Sequence, residues 1–170
     1  MGQILLAFID ICRLRSTPQD LPGSNFLLLV ALAGMLSVNA AAAVIFDKKA
    51  MLLEFAVLII FTAGVLTLAG RQNRFVQTLT ALAGTDAIIN FLYLPIGYWN
   101  LLEQAGVHTG TPQFIGLIMF IWNTIVLSHI FRHALSSWFI VGFFTAICYV
   151  WIAVTMYAFF DPSIQASFET

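Results

Sequence analysis

One aspartate in the middle of a long apolar run is the residue best placed to do chemistry in this chain. Residues 71–99 read RQNRFVQTLTALAGTDAIINFLYLPIGYW, opening with Arg71 and Arg74 and carrying Asp86 at the centre. On a helix rising about 1.5 Å per residue, Asp86 lies roughly 18 Å from Arg74 and about as far from Trp99, which is mid-depth in a bilayer. An ionised carboxylate there costs roughly 2.5 to 3.5 kcal/mol on the insertion scale, so the group is expected to turn inward and to be paired or neutralised.

At about 100° per residue, Asp86 shares a helical face with Leu79, Leu82, Asn90, Tyr93 and Gly97, while Gln77 and Gly84 point nearly the other way. Asn39 and Asn123 stand near mid-depth in two neighbouring apolar runs. Asp86, Asn90, Asn39, Asn123 and Tyr93 therefore make up the candidate intramembrane polar cluster. Two roles fit these residues. Asp86 is either a proton or cation site, with the carboxamides as neighbouring dipoles and Tyr93 as an outer gate, or a hydrogen-bonded clasp that holds helices together. A lone carboxylate without a basic partner makes a thin relay, which favours the clasp.

Other reactive groups carry less. His129 and His133 are four residues apart, which puts two imidazoles on one helical face and makes them weak candidates for a metal. No third ligand stands beside them in a matching motif, and with Arg132 they read as a polar helix end suited to a C-terminal dipole. Neither a metal nor another cofactor is expected. Cys12 and Cys148 lack CxxC spacing and are read as unpaired thiols. HExxH, GxSxG and P-loop motifs are missing, and Glu54, one turn inside its span, is a poor second carboxylate, so no enzyme is expected.

The elements that must position these groups follow from composition. With 61% hydrophobic residues, 9% charged residues and a mean hydropathy of +0.94, the chain is too apolar for a water-soluble domain. Spans and short connections take up almost all of its 170 residues, and there is no basic patch for nucleic acid. The expected fold is all-α, a polytopic membrane helical bundle of five transmembrane helices preceded by a short interfacial helix.

Residues 1–24 are expected to form a cytoplasmic interfacial helix and a connector. The first apolar run is too short to span, and its arginines follow the run where a signal peptide would place them before it. Leu6 stands where a myristoylation motif needs serine or threonine. The connector, STPQDLPGSN, is broken by two prolines and a glycine. Residues 25–160 hold the five spans, read at 25–46, 50–70, 71–99, 113–133 and 137–160, and 161–170 form a tail. The first span carries small residues for close helix contact, and the fifth is crowded with aromatics. Pro95 is expected to bend or end the third span, leaving Glu103 and His108 in a loop. Placing the N-terminus in the cytoplasm puts Arg13, Arg15, Arg71, Arg74 and Arg132 inside and only Lys48 and Lys49 outside. The C-terminus then faces the exterior or periplasm, and the expected location is a bacterial inner membrane.

The connector SxPxDLP at 16–22, the stretch RFxQTLTALAGTDAIINFLYLP at 74–95 and FRHAL at 131–135, set in this layout, resemble bacterial relatives of the Yip-domain family of small five-pass membrane proteins. The DLYGP sequence of many eukaryotic members is absent, so GTPase binding is not carried over. The resemblance implies a five-helix fold and a bias toward membrane organisation or partner binding. Together these readings predict a non-enzymatic accessory or scaffold protein that assembles in the lipid with other membrane proteins or as a homo-oligomer. The alternative is a small proton- or cation-coupled transporter or channel using Asp86.

Overall fold

In the computed structural model, residues 2–46, 51–106 and 112–160 are described, and all regular structure among them is helical. Six helices follow in order, α1 (Gly2–Cys12), α2 (Asn25–Phe46), α3 (Met51–Leu68), α4 (Phe75–Gln104), α5 (Pro112–Leu135) and α6 (Phe139–Phe160). Single 3₁₀ turns at Pro18–Asp20 and Gln72–Arg74 lead into α2 and α4.

The long helices are apolar on nearly every side, with no polar stripe for water. Helices of that kind are stable when packed all round or when surrounded by lipid. Among the described residues, four stretches are long and apolar enough to cross a membrane: Asn25–Ile45, Gln72–Gln104, Pro112–Leu135 and Phe139–Phe160. The outward surface matches, since Phe26 is 71%, Trp151 73% and Leu68 91% exposed. Large apolar side chains turned outward in this way are compatible with a membrane-embedded surface.

The centre of the bundle is α4. Every residue from Thr78 to Thr85 is buried, and most are small, so neighbouring helices approach this segment from all sides. Its closest partner is α2, with α5 on another flank, while α6 packs on α5 and α3. Thr80 and Thr85 return their hydroxyls to the carbonyls of Val76 and Ala81, so these polar groups need no outside partner.

Three helices end alike. Leu14, Gly70 and Ser136 take positive φ values of 62°, 66° and 48°. The following amides, of Arg15, Arg71 and Ser137, reach back to the carbonyls of Asp10, Leu66 and Arg132 at 2.8, 2.8 and 3.0 Å. These are Schellman endings, which satisfy the last carbonyls and turn the chain sharply. The last of them makes the tight corner between α5 and α6.

One expectation is corrected. The third span does not end near Trp99 but continues through Pro95 to Gln104, which places Glu103 on its last turn. A proline removes one ladder bond, and the intact bonds on either side carry the helix through. At the other end, Gln72–Arg74 form a separate 3₁₀ turn before α4. The Asp47-Lys48-Lys49 turn, His108 and the tail 161–170 lie outside the described residues.

A short helix spans Gly2–Cys12, with Phe8, Ile11 and Cys12 buried against the bundle and Leu5 and Leu6 exposed. It rests on α4 and α5.

Candidate functional site

The register of α4 against α5 sets the level of every group in the site. At one end the Arg74 guanidinium donates to the carbonyls of His133 and Ala134 at 3.0 and 3.1 Å. At the other the Tyr93 ring stands 3.8 Å from where a Cβ on Gly116 would be. The two helices are antiparallel, so Asp86 on α4 faces the level of Asn123 on α5.

Asp86 is held by two carboxamides. Its Oδ2 accepts from Asn39 Nδ2 on α2 at 3.1 Å and from Asn90 Nδ2, one turn along α4, at 2.9 Å. Asn90 Nδ2 also reaches Asn39 Oδ1 at 3.3 Å. Asn39 is only 8% exposed. Three of the five residues expected in the cluster therefore form one closed hydrogen-bonded set at the α2–α4 contact.

Beside this set lies a cavity of about 340 Å³. Asn39, Asp86, Asn90 and Asn123 line it, and so do Glu54 from α3 and Tyr149 and Tyr157 from α6. All five long helices thus supply a polar group to one space. Among the described residues, no lysine, arginine or histidine lines it. Since Glu54 sits one turn inside the start of α3 and Tyr157 one turn from the end of α6, the cavity extends from mid-bundle toward that end. Tyr93 lies in an adjoining cavity of about 190 Å³, which shares Asn90, Phe120 and Asn123 with the first.

Glu54, Tyr149 and Tyr157 are the polar groups that sequence reasoning missed. A signal for the tyrosines existed, because residues 149, 153 and 157 recur at four-residue spacing on one face of a helix otherwise crowded with phenylalanine. For Glu54 only depth was readable, and depth alone suggested an interfacial residue; the cavity extends to that depth.

The opposite side of α4 behaves as its helical angle requires. Gly84 faces the Phe8 ring of α1, and Gln77 donates to the Leu21 carbonyl at 2.9 Å. Trp122 Nε1 donates to the Cys12 carbonyl at 3.0 Å, capping the C-terminal end of α1. His129 and His133 do stack, with ring centroids 4.5 Å apart. His129 Nε2, however, is 3.0 Å from the Ser16 carbonyl and acts as its donor. Among the described residues no three potential metal ligands gather. Both histidines belong to the junction between the connector and the end of α5, where Gln19 also bonds the His133 carbonyl. Cys12 and Cys148 are both free thiols, the first buried and the second exposed.

By fold and site the described residues form an all-helical bundle with four helices long and apolar enough to cross a membrane and an acid-bearing, partly open cavity between helices. Comparison of the chain with family models, with curated proteins and with solved structures gives no match.

Proposed function

We propose that this chain is a five-pass integral membrane protein whose inter-helix cavity binds a cation, as a small proton- or cation-coupled transporter or channel. The observation that carries this is the convergence of two carboxylates, Asp86 and Glu54, on one cavity that, among the described residues, no basic side chain lines. A carboxylate inside an apolar bundle attracts a cation or a proton. Asp86, fixed by Asn39 and Asn90, is the inner anchor, and Glu54, near the mouth, is the outer one.

The fifth pass is α3. Its 18 residues extend about 27 Å, close to the roughly 30 Å of a bilayer core. With five passes the arginines gather at the connector end, which supports a cytoplasmic N-terminus and an exterior C-terminus in a bacterial inner membrane. Glu54 and Tyr157 then open to the exterior. The Yip-like motifs are kept as part of this proposal, for the five-pass layout.

Flux in proteoliposomes tests the reading. Asp86→Asn should abolish pH-dependent cation flux while leaving the protein folded, because an asparagine oxygen can still accept from Asn39 or Asn90. Unchanged flux removes the proposal.

A second reading, an accessory or scaffold subunit, draws on α6, of whose 22 residues Gly142 and Ala146 are the ones buried. It requires that purification in a gentle detergent recover a stoichiometric membrane partner or a defined oligomer.

A further inference from the structure

We infer that the cation taken by this cavity is an organic ammonium with an apolar body, entering from the lipid phase. The inference rests on the reading of the cavity as a cation site and narrows it to a ligand class.

The polar groups are turned the wrong way for a bare metal ion. A hard cation asks for about six to eight oxygens at roughly 2.3 to 2.6 Å. Here Asn39 and Asn90 direct their Nδ2 groups at Asp86, and the Asn39 oxygen receives Asn90. The Asn39 oxygen is thus already engaged, and both donors are spent on the Asp86 carboxylate. One hydrogen-bonded carboxylate set among apolar walls offers too few oxygens to replace the hydration shell of a hard ion, whereas a weakly hydrated ammonium with an apolar body needs only the one anionic contact.

Size and lining agree. A space of about 340 Å³ is many times the volume of a dehydrated ion and falls within the ordinary range for small organic ligands, roughly 300 to 1,000 Å³. Leu58, Leu82, Leu127 and Val150 give it apolar walls. Tyr149, Tyr157 and Phe120 add aromatic rings, which attract an ammonium through their faces. The lining also reaches the outer surface, since Phe120 on α5 is 51% and Val154 on α6 is 60% exposed. An apolar cation dissolved in the bilayer therefore meets the cavity between these two residues without crossing water.

Calorimetric titration of the protein in lipid nanodiscs with benzyltrimethylammonium, and separately with sodium, potassium and magnesium chlorides at matched ionic strength, tests this. Saturable binding of the organic cation and none of the metal ions is the expected result. Asp86→Asn should weaken binding about tenfold or more, the loss of one contact of about 1.4 kcal/mol. Ala153→Phe, which fills the cavity without changing its charge, should also block the organic cation and serves as the independent variant if Asp86→Asn does not fold. Binding of a metal ion in place of the ammonium would overturn the ligand class and keep the cation site. Binding of neither overturns both, and undiminished ammonium binding by folded Ala153→Phe overturns the location.

Discussion

Gly142 of α6 lies so close to α5 that a Cβ built on it would stand 2.5 Å from the Ser128 carbonyl oxygen and 2.7 Å from both the backbone nitrogen and the Cβ of Arg132. Two of these three atoms are backbone and cannot rotate away. Gly142→Ala must therefore push α6 off α5, and overpacking of this kind costs about 1 to 3 kcal/mol. At Gly84 the obstructing atoms belong to the Phe8 side chain, which can swing aside. Thermal unfolding in detergent should rank Gly142→Ala clearly below Gly84→Ala. The reverse order would mean that α1, not the α5–α6 corner, is the tighter joint.

Cys12 reports on the docking of α1. Burial pushes its thiol up from the ordinary 9.0 to about 11. Roughly one molecule in a thousand then carries the thiolate at pH 8, and the thiolate is the reactive form. In a Cys148→Ser background, iodoacetamide should modify Cys12 very slowly in the folded protein and rapidly after denaturation. Phe8→Ala, by loosening the helix, should speed the folded-state reaction. The sign of the linked stability follows from the raised value: the folded state holds the thiol proton more tightly than the unfolded chain. Stability from this group is whole below about pH 9 and declines between pH 9 and 11. Equal rates before and after denaturation would show that α1 is not seated.

The clasp of Asp86 with Asn39 and Asn90 can be weighed by a double-mutant cycle. Side-chain hydrogen bonds between membrane helices average about 0.6 kcal/mol and reach about 1.7. Asn39→Ala also strips a donor from a carboxylate, so its cost should lie at the upper end of that range. Combined with Asp86→Asn, the loss should fall short of the sum of the two single losses by at least about 0.6 kcal/mol in detergent-unfolding measurements. Strict additivity would show that the α2–α4 contact does not depend on this pair.

What could be read from residues alone was the angular order around α4. Asp86 and Asn90 on one side, with Gly84 and Gln77 on the other, follow from helical angle, and the structure keeps both groupings. The α2 contribution, Asn39, was legible because depth and polarity coincide in it. Glu54 was not, since its position around the axis of α3 is set by packing against α4 and α6, which no single sequence displays. Pro95 was misleading for a different reason: one missing ladder bond marks a helix end only when nothing beyond it restores the helical pattern. The buried side of α1 was also hidden, because its apolar residues occur all round and select no face by themselves.

Arg74 carries the largest single polar load at the connector end. Its Nη1 donates to the His133 and Ala134 carbonyls and to the Ser136 hydroxyl, and Arg71 adds a longer bond to the same hydroxyl at 3.4 Å. The two carbonyls belong to the last turn of α5, where the helix dipole is negative and a cation is favoured by about 0.3 to 1 kcal/mol. Hydrogen bonds from a charged donor add about 1.5 to 3 kcal/mol. Arg74→Ala should therefore destabilise the bundle by about 2 to 3 kcal/mol and increase amide hydrogen exchange across 133–138. Arg74→Lys keeps the charge near the dipole but lacks the flat, forked donor group, so it should recover only a minor part of that loss. Exchange at 133–138 that is the same in wild type and Arg74→Ala would mean that the Schellman ending at Ser136 holds the corner without the guanidinium.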